Sequence, residues 1–496
     1  MKKILLSLLI FNSWFLISSA QDLPHIMTDA EKQVLPYYNQ QRNANPNSAL
    51  FVTPPVSPVR TIGEWEELQG LLITWTSYQS ILKEIVRAAK LETRVYIVCS
   101  NPTTVINYLN LAPAVDTVNV SFVVTPYNSV WCRDYGPWSA YTNDVDTLIT
   151  VDWIYNRPRP LDDVVPSTIA TLLGTPYYVT TTSPWDLVHT GGNFMTDGFG
   201  TGFSSTLVNF ENTLAGGWNI NHTPAEVDTI MKYFMGITRY IKMNTLPYDV
   251  IHHIDMHIKL LDEETLLVGE YPAGVADGPQ IEANLQFILA NYNSVFGTPY
   301  KVIRIPMPPD GTLYPNNGGD YLTYTNSSFI NKTVIVPIYN IPSDTTALRI
   351  YREALPGYTI TGINSNASIG ALGALHCITK ELGTDDPLLI SHQPLPDTYD
   401  DVNPYTVNAL IKHRSGISTA TMFYRTDTLL PYVAVSMTQA VNPDYWSAPI
   451  PAHAVGTIVY YYVHAESVSG KQQNRPMPAP VGYWHFKILG PVGIDE

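Results

Sequence analysis

A strand, a helix and a second strand follow one another in quick succession near the start of the folded chain, and this order limits the fold most. Leu71-Leu72-Ile73-Thr74-Trp75 is an apolar run of strand length, Ile81, Leu82, Ile85, Val86 and Ala89 recur at helical spacing, and Val95-Tyr96-Ile97-Val98 follows. A helix-like stretch covers Thr103 to Leu109, and the strand Val120 to Thr125 leads into a polar, aromatic segment, Val130 to Trp138. The alternation returns at Ile281 to Val295 with Val302 to Ile305, and at Thr345 to Leu355 with Ile360 to Ile363. Recurrence at such long, uneven spacing predicts repeated α/β units. Alternating units ordinarily build a doubly wound sheet or a barrel, but no Gly-rich phosphate loop follows any strand, which argues against a dinucleotide enzyme.

The chain has 496 residues, too many for one ordinary core, and is 45% hydrophobic and only 14% charged, a globular composition. Lys2-Lys3, the apolar run Ile4 to Ile17 and then Ser18-Ser19-Ala20 follow the order of a secretory signal peptide, and the run is shorter than the roughly 20 residues a spanning helix needs. The expectation is a signal at 1–20, a secreted, periplasmic or cell-surface location, and no membrane insertion after cleavage. Residues 21–60, polar and dotted with Pro54, Pro55 and Pro58, are expected to form an extended arm. Residues 61–389 would hold the α/β domain. From about 390 the texture changes to short alternating segments, such as Ala420 to Tyr424, Tyr432 to Met437 and Ile458 to Val463, which predict a small immunoglobulin-like β-sandwich over 390–496.

Net charge is −15, which opposes binding to nucleic acid and suits a cationic ligand. Three cysteines, Cys99, Cys132 and Cys377, cannot all pair within the chain.

Three segments have the makings of chemistry. In Trp131-Cys132-Arg133-Asp134-Tyr135-Gly136-Pro137-Trp138 an aspartate lies among indoles, so it could grip a planar cation while a ring stacks on its face. The same octapeptide could equally be a structural turn. In His252-His253-Ile254-Asp255-Met256-His257-Ile258, a strand would bring His253, Asp255 and His257 to one face, a set that could also ligate a metal. Around Cys377, small residues of Ser368 to Thr379 allow close approach, and the thiol needs an imidazole or cation beside it to act as a nucleophile. On a strand His376 would face away, which favours His253 as that partner. Arg157 and Arg159, two residues apart on a proline-stiffened segment, could both face one carboxylate or form a solvated basic turn. Asn326, before an apolar strand, reads as a turn residue.

Taken in order, Trp131 to Pro137, His189-Thr190-Gly191-Gly192-Asn193, His253 to Met256, Tyr324-Thr325-Asn326 and Ala374 to Thr379 resemble the bacterial peptidylarginine deiminases and agmatine deiminases of the guanidine-modifying pentein superfamily, over about residues 60–382. The resemblance implies a five-bladed α/β propeller and no metal or organic cofactor. It makes Cys377 the nucleophile, His253 the general acid and base, Asp134 and Asp255 the carboxylates that hold the guanidinium, and Asn326 the residue completing the site. It also makes Arg157 and Arg159 a carboxylate-binding pair, with Trp131 beside the substrate, so that peptides or proteins carrying arginine, C-terminal arginine above all, are the expected partners. A tyrosine that the family places three residues before the histidine is here Val250. The alternatives are an exported deiminase of agmatine or free arginine, a non-catalytic surface binding module, and a metal hydrolase built on His253, Asp255 and His257. The sequence leaves the oligomeric state open.

Overall fold

The computed structural model describes residues 23–44 and 51–490, so the expected signal at 1–20 lies outside the described residues. The chain divides into two compact units: one is formed by the chain up to Asp144, Leu148–Leu348 and Thr361–Thr384, the other by Val145–Thr147, Arg349–Ile360 and the chain from Asp385. Among the described residues no helix is long and apolar enough to cross a membrane.

The larger unit carries five sheets, and four are mixed and show the same repeat: two parallel strands joined through a helix, with a short antiparallel strand on the first of them. Leu68–Thr74 runs parallel to Arg94–Cys99, with Gln79–Ala89 between them and Lys380–Gly383 antiparallel. Leu148–Tyr155 pairs with Tyr177–Thr180, Thr201–Ser205 with Arg239–Met243, and Thr265–Glu270 with Lys301–Pro306, all parallel. Their antiparallel companions are Trp138–Thr142, Met195–Thr196 and Ile258–Leu260. The fifth sheet orders Ser328–Ile330, Thr333–Ile338 and Thr359–Asn364, the first two antiparallel. Helices lie on the sheets because their apolar stripes need cover: Val227, Ile230, Met231 and Phe234 of Pro224–Met235 share a core with Trp138, Val151 and Trp153. That helix starts in a capping box between Thr223 and Glu226.

The stretch expected as an extended arm contains a helix, Asp29–Ala44. Thr28 and Glu31 start it by exchanging hydrogen bonds, the Glu31 carboxylate accepting from the Thr28 N–H and the Thr28 hydroxyl accepting from the Glu31 N–H. Only a narrow stripe of the helix is apolar, which hides it in the sequence, yet Leu35 and Tyr38 are buried with Ile154, Val188, Trp218 and Ile220.

In the smaller unit one sheet orders Leu389–Ser391, Tyr405–Lys412, Tyr445–Ile450 and Thr438–Gln439. The other orders Val433–Ser436, Ile417–Arg425, Ile458–Ser467 and Gln472–Arg475, with Trp484–Lys487 also on Ile458–Ser467. Strand pairs in both are antiparallel, and Val407, Ile411, Met422, Ile450, Tyr461 and Phe486 share one core.

Gly191 shows how closely the segments of the larger unit meet: a Cβ there would stand 1.9 Å from the carbonyl oxygen of Arg133. Because backbone cannot step aside as a side chain can, Gly191→Ala is expected to cost at least about 3 kcal/mol, the upper end for overpacking. A denaturant titration at neutral pH measures it.

Candidate active site

Each of the five antiparallel strands is preceded, within a few residues, by a segment bearing a candidate residue. Cys132–Tyr135, a single helical turn with Asp134, precedes Trp138–Thr142, and the 3-10 turn Gly191–Asn193 precedes Met195–Thr196. Ile254–Met256, holding Asp255 and flanked by His253, precedes Ile258–Leu260; Asn326 precedes Ser328–Ile330; and His376–Ile378 precedes Lys380–Gly383. One kind of position in the repeat therefore delivers Asp134, Gly192, His253 with Asp255, Asn326 and Cys377.

These residues converge in one buried chamber. The Asn326 amide donates to the Cys377 sulfur at 3.2 Å, while its own oxygen accepts from the backbone N–H groups of Ala374 and His376 at 3.2 and 3.0 Å. The sulfur lies 3.7 Å from Asp255 Oδ2, which also receives His376 Nδ1 at 2.6 Å. His376 Nε2 reaches Glu64 Oε1 at 2.8 Å, and Lys259 pairs with the other oxygen of Glu64 at 2.6 Å. Among the described residues Asp255 Oδ1 has no hydrogen-bond partner, and neither has His253 Nδ1.

Across the chamber Asp134 Oδ1 accepts the Gly192 N–H at 3.1 Å and lies 3.6 Å from His253 Nδ1. Only glycine fits at 192, since a Cβ would come within 2.4 Å of that imidazole. The other Asp134 oxygen meets Nε2 of His25 at 2.5 Å, and the His25 ring stacks on Trp131 at 4.0 Å and 7°. Trp131 needs Gly373, where a Cβ would stand 2.5 Å from its ring. Leu372 holds a left-handed backbone, φ 67°, and its carbonyl meets His25 Nδ1 at 2.9 Å.

Burial raises the Cys377 thiol well above its ordinary value, and Asp255 and Asp134 raise it further. A thiolate here would be a third anion in a dry chamber, so it forms only when a cation joins it. Burial also opposes the charge on Asp134, but His25, His253 and Arg157 outweigh it and hold this carboxyl well below the usual range. Burial lowers His253 to about 4 against the pull of Asp134, keeping its ring neutral at neutral pH. Glu64 is likewise held well below its ordinary value despite burial, by His376 and Lys259.

Several expectations need correction. Residues 253–257 are not a strand: the alternation of polar and apolar residues imitates one, but the chain makes a 3-10 turn, and His257 is buried with neither ring nitrogen hydrogen-bonded. The trio His253, Asp255 and His257 therefore does not form one polar face. Ligand atoms within 4.8 Å of one another come instead from His25, Asp134 and His253, and of these His25 and Asp134 are in direct hydrogen-bond contact. His376 does not face away, because the 3-10 turn brings it to Asp255 beside Cys377. Arg157 and Arg159 are buried, not a solvated turn; Arg157 Nε donates to the His25 carbonyl at 3.0 Å and Arg159 Nε to Glu31 at 2.6 Å. Asn326 is a buried ligand of the thiol and not merely a turn residue. Val250, at the family's tyrosine position, is 63% exposed. Sequence reasoning missed His25 and Glu64 and set His376 aside as facing away; the small residues Gly370 and Gly373 were the one local sign that the chain turns before His376.

The family described as Porphyromonas-type peptidyl-arginine deiminase matches residues 60–382. The chain belongs to that family. A Vibrio parahaemolyticus protein whose name proposes an agmatine deiminase is 26% identical over 297 residues, covering 53% of this chain and 78% of its own. Among solved structures, the C. jejuni agmatine deiminase aligns with 66% of this chain and 96% of its own at 22% identity and TM-score 0.54. The agmatine deiminase of Enterococcus faecalis aligns with 68% of this chain and 100% of its own at 18% identity and TM-score 0.57. These deiminases are similar to the larger unit in fold, an α/β arrangement of mixed sheets, and the family is one of hydrolases acting on C–N bonds.

Burial sets the pH response of His257, which is lowered to about 4 by desolvation against the opposing field of Asp255. Between the ordinary value and 4 the unfolded chain takes a proton that the folded chain refuses, so His257 lowers stability as pH falls through that window and has no such effect above it. His257→Gln should therefore lose less stability than the parent between pH 7 and 5, by on the order of 1 kcal/mol. Urea titrations of both proteins at the two pH values read the difference.

Proposed function

We propose that the protein is an exported peptidylarginine deiminase that hydrolyses the guanidinium of arginine, preferentially at a peptide C-terminus, to a ureido group and ammonia. The observation that carries this reading is the meeting of the Cys377 sulfur, the Asn326 amide and the two carboxylates Asp134 and Asp255 in one water-poor chamber. Asp255 Oδ1 and His253 Nδ1, neither hydrogen-bonded among the described residues, are the groups a guanidinium would engage.

The chemistry follows from the electrostatics. A guanidinium entering between the two aspartates offsets their charge and lets Cys377 pass its proton to the neutral His253 imidazole; the thiolate sulfur bonds to the guanidinium carbon. His253 delivers a proton to the departing nitrogen, the C–N bond breaks and ammonia leaves a thiouronium on Cys377. The same imidazole then removes a proton from water, whose oxygen bonds to that carbon; the C–S bond breaks and releases the ureido product. Charge stays between Asp134 and Asp255 throughout, preorganised stabilisation worth roughly several kcal/mol. None of these steps calls for a metal or organic cofactor.

Arg157 and Arg159 are the groups assigned to a substrate carboxylate. Arg159 supports that role by already holding one, Glu31, through Nε at 2.6 Å and a terminal nitrogen at 3.3 Å. The five sheets fit a five-bladed propeller, the two antiparallel sheets of the smaller unit an immunoglobulin-like sandwich, and residues 1–20 an export signal.

Cys377→Ala should abolish ammonia release, by about 10⁴-fold or more. Ureido formation is to be compared on a peptide ending in arginine, its amide, and agmatine. The first should be fastest; agmatine leading by far would overturn the peptide reading in favour of an agmatine deiminase.

A further inference from the structure

The segment before the N-terminal helix lies in the candidate site, where it contacts Asp134, Trp131, Arg157 and Arg159, four residues assigned above to substrate, and the carbonyl of Leu372. His25 is 0% exposed. Its Nδ1 meets the carbonyl of Leu372 and its Nε2 the carboxylate of Asp134, two oxygens that can only accept. A ring that satisfies both donates through both nitrogens. It is then a flat, delocalised N–C–N cation lying on the Trp131 indole and edge-on to His253 at 5.1 Å. That unit is the amidinium portion of a guanidinium.

The main chain on either side is read too. Trp131 Nε1 donates to the carbonyl of Leu23 at 2.9 Å, Arg159 to those of Pro24 at 2.7 Å and Ile26 at 3.4 Å, and Arg157 to that of His25 at 3.0 Å. Four consecutive carbonyls are thus held by three side chains. Six residues past His25 the Glu31 carboxylate sits on Arg159. The segment presents a planar cation to the aspartate and an anion to the arginine, the two charges of an arginine with a free carboxylate. With it in place Cys377 and His253 are both 0% exposed, and no ligand could reach the sulfur.

We propose that Leu23–Glu31 is a pseudosubstrate: it fills a groove that recognises a peptide main chain through Trp131, Arg157 and Arg159, places His25 where a guanidinium binds, and keeps the protein latent until it is displaced or cut. The identity of the displaced ligand rests on the deiminase reading above; the occupancy rests on geometry alone. Tethering favours the segment over free ligand, since a covalently linked occupant acts at an effective concentration in the millimolar range. Release does not require unfolding. The helix Asp29–Ala44 is anchored separately by Leu35 and Tyr38, the Thr28–Glu31 cap is local, and Ile26 already faces solvent at 40% exposure.

The test uses the full chain, a His25→Ala variant, and a form with a specific protease site inserted between Met27 and Thr28 so that the segment is cut after folding, all in the presence of a chelator. The probe is 2-chloroacetamidine, an amidinium-bearing alkylating agent whose chloride is displaced by a thiolate; labelling of Cys377 is mapped by mass spectrometry. Labelling should rise by about tenfold or more in the variant and on cutting, the equivalent of about 1.4 kcal/mol of occlusion. A synthetic peptide of the Leu23–Glu31 sequence should protect the cut protein again. Labelling within about twofold of the parent in both altered forms overturns the proposal. Ureido formation is followed in parallel. Increased labelling without turnover of any guanidine upholds the pseudosubstrate and removes the deiminase reading, whereas full turnover in the parent, unchanged in both altered forms, does the reverse.

Discussion

Two carboxylates, Asp134 and Asp255, are buried in one chamber, and the surrounding structure follows from what that burial demands. An isolated buried anion is costly enough to take up a proton unless it is paired and hydrogen-bonded. The protein meets the demand with imidazoles. His376 bonds Asp255 and is itself fixed by Glu64, which Lys259 anchors in turn, while Asp134 takes a backbone N–H from Gly192 and an imidazole from His25. The first arrangement is part of the framework; the second depends on a segment more than a hundred residues away in sequence. Asp255 is thus partnered by the framework of the larger unit, and Asp134 in part by the N-terminal segment.

The repeat of the larger unit explains how residues scattered from Asp134 to Cys377 reach one place. Each stands just before the short antiparallel strand of its sheet, so the register of that strand sets where the side chain lies. Trp138 pairs with Val151, Ile258 with Val268, and Lys380 with Leu72. Side-chain chemistry alone would not position these groups; strand pairing does it five times over, and the glycines at 191, 192 and 373 let the resulting segments touch.

What could be read in the sequence was the chemistry and the layering. The apolar periods of Leu71 to Ala89 correspond to the strand Leu68–Thr74 and the helix Gln79–Ala89, and the ordered motifs led to the family that matches residues 60–382. Local geometry was less legible. His253 to Ile258 alternates as a strand does, yet a one-turn 3-10 helix consumes the same residues, and the same misreading turned His376 away from the thiol it neighbours. The N-terminal helix was hidden by its polar surface, and His25 by distance: nothing in Leu23-Pro24-His25-Ile26 marks it for Asp134, since the contact exists only once both segments are folded.

The pairing of Lys380–Gly383 with Leu68–Thr74 joins the last strand of the larger unit to its first parallel pair. Cys377 sits just ahead of that strand, so it is the last of the converging residues to emerge from the ribosome and to be fixed in space. A nascent chain carries the aspartates, the imidazole and the amide before it carries the sulfur, and strand pairs this far apart in sequence form slowly. The sulfur therefore joins the carboxylates, the imidazole and the amide only when this last strand pairs.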